Sequence, residues 1–156
     1  TARIRGWEAT LRSPLLFHRL TWHYAFSHQW VEGRGAVSGG LTDFTPPDEG
    51  FFYLDHDQRV TFSTGWEARL PWRVAASANV LYGSGFLNGD GPEHLPGHTT
   101  FDLSLEKQFG ESWSVELSGL NVANRRYMLD SSNTFGGTHT ANPREISAQV
   151  RYRFHY

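Results

Sequence analysis

The 156-residue sequence has no cysteine, so neither a disulfide framework nor a thiolate metal site holds it together, and the redox compartment stays open. It has no apolar run near the ~20 residues that a membrane-spanning helix needs, which excludes a helical membrane protein. A charge excess is missing too, with 14 Lys and Arg against 16 Asp and Glu and a net of −2. Proteins that neutralise phosphates normally show a basic face, so a dedicated nucleic-acid binder is disfavoured. The opening TARIRGWEAT lacks the basic, apolar and small-residue order of a secretory signal, and any signal is expected to lie upstream or to have been removed.

Aromatic residues, in contrast, make up 15% of a chain whose hydrophobic total is only 38%, and glycine counts 16. Disordered chains are poor in aromatics, so these rings argue for an ordered fold. Their spacing is a strict alternation of apolar and polar residues, the period of a strand with two different faces. In RLTWHYAFSHQW, Leu20, Trp22, Tyr24, Phe26 and Trp30 oppose Thr21, His23, Ser27 and Gln29. RVTFSTGWEARL, RVAASANVLYGSGF, HTTFDLSLEKQF and the closing EISAQVRYRFHY repeat the pattern. WSVELSGLNVANRRY starts cleanly and loses phase at Leu120 and Val122, where a bulge or strand end is expected. ARIRGWEATLR is also irregular, because Ile4 and Trp7 differ in parity around Gly6. Seven strands are predicted.

The connections alternate as well. Ser13 to His18, Pro71 with Trp72, and Gly110 to Ser112 are short, whereas about 34–57, 87–97 and 128–143 are long and rich in Gly, Pro, Asp and Asn. Short turns therefore gather at one end of the sheet and long loops at the other, with strands long enough to match the ~9–11 residues of a tilted membrane strand. Aromatics toward both ends of the apolar face suit bilayer interfaces. The fold class expected is all-β, an antiparallel up-and-down transmembrane β-barrel.

Four stretches carry a family resemblance: RIRGWEATL, where a Gly and a Glu open a strand; NVLYGSGF, a strand running into an outer loop; LNVANRRY, a strand end; and the terminal aromatic strand. In this order they resemble the C-terminal part of a TonB-dependent receptor, although Val122 and Ala123 stand where that family has a bulkier pair. The resemblance implies a 22-stranded outer-membrane barrel, closed by a plug domain that is absent from residues 1–156. It implies import of a scarce small molecule or metal chelate, such as a ferric siderophore, with TonB acting through the plug. It also implies partners in outer-membrane lipid and the barrel-assembly machinery, the latter reading Tyr152, Phe154 and Tyr156 as a C-terminal signal.

Seven strands do not close a single-chain bacterial barrel, whose strands are even in number. The chain is therefore expected to be a segment of a larger wall or to pair with another chain. An eighth strand within 35–57, where GFFYLD is apolar, would instead close a small barrel of structural or enzymatic role. A soluble lipocalin-like binder is the remaining alternative, and it would turn the aromatic face inward.

Chemistry-bearing clusters are sparse. Asp55, His56 and Asp57 form an acidic outer loop that could touch a cationic solute or a metal chelate. His94 and His98 are four apart with Pro96 and Gly97 between them, a loop rather than a helical metal pair. Gly83 to Gly89 lacks the spacing and the following helix of a dinucleotide loop. No nucleophile elbow or triad spacing is present, and no enzyme activity, cofactor or resident metal is expected.

Overall fold

The computed structural model of the chain describes residues 1–35, 49–54, 57–89, 91–130 and 138–154. It contains ten strands: β1 (Ala2–Arg12), β2 (Leu20–Gly33), β3 (Phe52–Tyr53), β4 (Val60–Leu70), β5 (Val74–Gly83), β6 (His98–Phe109), β7 (Trp113–Leu120), β8 (Met128–Asp130), β9 (His139–Thr140) and β10 (Glu145–Tyr152). Seven of them form one antiparallel meander in the order β1-β2-β4-β5-β6-β7-β10, and β8 and β9 pair as a separate small hairpin. All seven predicted wall strands are present.

A strand shows its two faces to two environments only if its register never slips, because a one-residue shift exchanges every side chain between faces. The pairing runs without a break along the wall. One row across it reads Trp22, Trp66, Ala78, Leu103 and Gly119, and the neighbouring row on the opposite face begins His23, Gly65, Asn79 and Asp102. Gly65 is needed in that polar row. A Cβ there would lie 2.1 Å from Asn79 Oδ1 and 2.4 Å from the His23 ring, so its absence lets both polar side chains lie across the strand.

Among the described residues nothing covers the apolar face. Leu87 is the buried hydrophobic residue among those described, while Leu103, Leu105, Leu117 and Ile146 are between 49% and 66% exposed. A continuous exposed apolar surface of this extent is an interaction surface rather than a solvated one. The lipocalin-like alternative would bury these side chains, and the structure leaves them open.

Rings concentrate toward the two ends of the same face. Near the long connections Trp7 stacks on Phe26 at 4.7 Å, and Phe62 joins Tyr24 and Tyr82. At the short-turn end Phe109 pairs with Trp113, whose ring is 4.7 Å from Tyr152.

The short turns are tight and unusual. Phe17 and His18 have φ of 51° and 57°, and Trp72 and Arg73 have φ of 60° and 57°. Two consecutive left-handed residues suit the twist of a hairpin turn, a place normally taken by Asn and Gly, and here each pair sits in a three-residue connection, between Leu16 and Leu20 and between Leu70 and Val74. Bulky residues there cost roughly 1–3 kcal/mol each, so the wall must hold them in place. At the other end, β7 stops where Asn121 and Asn124 take φ of 46° and 50°, the strand end expected from the lost phase.

β1 and β10 are the two edges of the main sheet among the described residues. β3 supplies two residues, Phe52 and Tyr53, beside Gly33 and Glu32 of β2. It extends the outer end of β2 and does not form the eighth wall strand that a small closed barrel would require.

Candidate functional site

The polar face is the chemically equipped side of the wall. Across its middle, Ser77 and Ser104 hydrogen-bond at 2.8 Å, as do Ser118 and Ser147. Toward the short turns Arg151 reaches Glu106 at 4.0 Å. On the other face, at its long-connection end and level with or beyond Trp30, Arg3 lies 2.7 Å and Arg5 3.5 Å from Glu32. The paired serines and the Arg151–Glu106 contact suit the inner wall of a wet lumen.

Two features stand out at the long-connection end. The first is a clasp around Asp57, whose side chain is fully buried. Its Oδ1 accepts the backbone N–H of Val31 at 3.1 Å, and its Oδ2 lies 2.8 Å from His94 Nε2 and 3.7 Å from Arg59 Nε. A carboxylate only accepts, so His94 is the donor in that bond. The backbone carbonyl of Asp57 also accepts from Leu87 N–H at 2.9 Å. Arg59 in turn lies 4.4 Å over the Tyr53 ring, a cation–π contact. One residue thereby joins the end of β2, the loop after β5 and the entry to β4.

The second feature is a recess of about 440 Å³ lined on the polar side by Glu8, Ser27, Gln58, His98 and Tyr127. The His98 ring stacks on Tyr127 at 3.6 Å with a 7° interplanar angle, and Phe86 lies 5.9 Å from its other side. Gln58 Nε2 and His98 Nδ1 are buried there without a hydrogen-bond partner among the described residues. Gly83 makes the space, because a Cβ would fall 2.3 Å from Gln58 Nε2 and 2.7 Å from the His98 ring. Stacked rings beside unpartnered polar atoms can receive a solute with a flat face and hydrogen-bonding edges.

The residues proposed from sequence fall in different places. Asp55, His56 and Tyr156 lie outside the described residues. Asp57 is structural in its placement, since the clasp occupies its carboxylate. Tyr152 ends β10 and meets Phe154 edge-on at 4.7 Å, and the Phe154 side chain is exposed. His94 and His98 go to separate clusters, one to Asp57 and the other to Tyr127. Among the described residues, no three His, Cys, Asp or Glu side chains gather as metal ligands.

The LNVANRRY stretch acts as a staple. Asn121 N–H donates to Asp102 Oδ1 at 2.8 Å, and its side-chain amide bonds the backbone of Arg125 and Asn142. Asn124 Oδ1 accepts from Arg144 N–H at 3.0 Å. The recess and the clasp were not anticipated from sequence. The one signal for them was Gly83 within a run otherwise read as loop punctuation.

The crystal structure of the ferric-catecholate import receptor Fiu from K12 E. coli, in its closed form, superposes with a TM-score of 0.72 over 97% of this chain at 13% identity. The match covers 21% of that receptor, so the chain spans about a fifth of its length. No curated protein sequence matches. The family model described as TonB dependent receptor-like, beta-barrel, matches residues 1–124, the greater part of the sequence. The unbroken two-faced meander, its short and long ends and this match together show that the chain belongs to the TonB-dependent receptor-like β-barrel family.

Proposed function

We propose that these residues form the C-terminal wall segment of an active-transport receptor in the cell outer membrane. The complete protein would import a scarce small molecule or metal chelate, such as a ferric siderophore, with energy delivered by TonB through a plug domain outside residues 1–156. The observation that carries this reading is the pairing of an uncovered apolar face with a polar face that opens, at its long-connection end, onto the recess at Gln58 and His98. Solute would meet the outer loops first, with Asp55 and His56 as contacts and Asp57 holding their base. In cells that carry the full-length receptor, uptake of a labelled ferric siderophore is expected to vanish when either the receptor or TonB is deleted. Uptake that persists without TonB overturns the proposal.

Tyr152, Phe154 and Tyr156 are proposed as the signal read by the barrel-assembly machinery. Phe154 suits this role because its ring is exposed beyond the end of β10, free to be grasped. Replacing Phe154 and Tyr156 with alanine should lower the amount of full-length receptor in the outer membrane severalfold, measured by immunoblotting of membrane fractions. Unchanged levels overturn the assignment.

A further inference from the structure

The short-turn rim of the wall carries two cations, Lys107 and Arg73, that transport does not explain. Lys107, the only lysine of the chain, lies on the apolar face two residues beyond Leu105 and opposite Val74 and Val115. Its ammonium donates to the backbone carbonyl of Trp72, and the Arg73 guanidinium donates to that of Gly110. Both partners are neutral carbonyls, so neither positive charge is cancelled by them. Trp72 and Arg73 are the two left-handed residues of their turn, and Trp72 is 83% exposed. A strained turn that sets a ring and a cation at a rim points to a use for both.

Beside Lys107 the same face is hollow. A groove of about 540 Å³ runs over Ala76 and Ala78, walled by Trp66, Leu103, Leu105 and Ile146. That volume is in the range of small-molecule sites. The groove begins two residues along the strand from Lys107, since Ala76 pairs with Leu105 and Val74 with Lys107.

We propose that this rim holds an anionic phospholipid of the short-turn leaflet, its phosphate on Lys107 and Arg73 and an acyl chain in the groove. The inference rests on the membrane reading given above. Charge complementarity selects the headgroup, because two cations whose hydrogen-bond partners among the described residues are neutral carbonyls suit a phosphate that carries net negative charge. Continuity with the lipid-facing surface selects the tail, because the groove is part of that surface. Lys107 reaches the headgroup level by extending its stem over apolar neighbours, as long cationic side chains do at interfaces.

The test uses the full-length receptor in detergent, read by native mass spectrometry with added phosphatidylglycerol, phosphatidylcholine or lipid A. One phosphatidylglycerol should be retained more tightly than phosphatidylcholine. Lys107→Gln and Arg73→Gln should each weaken its retention roughly fivefold. Ala76→Leu, which fills the groove and leaves the charges in place, should weaken retention of both phospholipids. Equal retention of the two phospholipids, or phosphatidylglycerol retention indifferent to both charge variants, overturns the site. Lipid A held in a Lys107-dependent way would put the rim in the opposite leaflet and also overturns it. Lipid retention is read on purified receptor and solute uptake in cells, so failure of one is distinguishable from failure of the other.

Discussion

An Asp57→Ala variant is expected to open the outer clasp while leaving the wall below it paired. The substitution leaves the Val31 N–H without its acceptor, His94 without its partner and the Arg59 guanidinium beside an apolar methyl group. Removing one member of a buried charged cluster typically costs about 3–5 kcal/mol, because the remaining groups stay desolvated and unpaired. The loss should be local, since β4 and β5 keep their full ladder. Hydrogen exchange on the full-length receptor would show it as amide exchange at Val31 and Leu87 faster by on the order of 100-fold or more. Asp57→Asn should fall between the two, since its side-chain oxygen can still accept from Val31 while the charge is gone. Protection at Val31 and Leu87 equal to that of the unmodified receptor would refute the clasp.

A second large effect is expected from Leu105→Arg. Leu105 is midway between Phe101 and Phe109 on β6 and is 49% exposed on the apolar face. An arginine at the midplane of a barrel's lipid face costs about 2–4 kcal/mol, whereas the lumen side tolerates charge. Gln149→Arg is the matched control. Gln149 lies on the polar face of β10 opposite Glu116, so a guanidinium there gains a carboxylate neighbour and stays wet. Urea titration of the full-length receptor folded into lipid vesicles should show Leu105→Arg destabilised and Gln149→Arg nearly unchanged. Equal costs at the two positions would contradict the assignment of the faces.

The wall was legible because both of its environments write on the sequence at once. Period-two alternation placed β4 and β6 to within a residue and β2 and β5 to within three, and β10 is Glu145–Tyr152 of the predicted run from Glu145 to Tyr156. β1 looked irregular for a physical reason. Arg3 and Arg5 occupy the apolar parity but reach Glu32, beyond Trp30, where the strand has passed the aromatic belt and alternation has lost its cause. The strand itself pairs without a break from Ala2 to Arg12. What sequence did not show lies between loops. Asp57, His94 and Arg59 meet through segments that have no period, and β3 and the β8–β9 hairpin are only two or three residues per strand. An acidic Asp-His-Asp run reads as solvated, and only the fold shows that its last carboxylate is enclosed.

The paired serines have a consequence for motion along the wall. A hydroxyl pair can exchange donor and acceptor by rotating two bonds, without losing a hydrogen bond and without moving a charge. On the polar face, two residues along β6 from Glu106, the hydroxyl band of Ser77, Ser104, Ser118 and Ser147 thus holds no fixed polarity. A body sliding past it finds dipoles that turn to match, with no ion pair to break. In mechanical terms it is a low-friction strip beside one anchored rim.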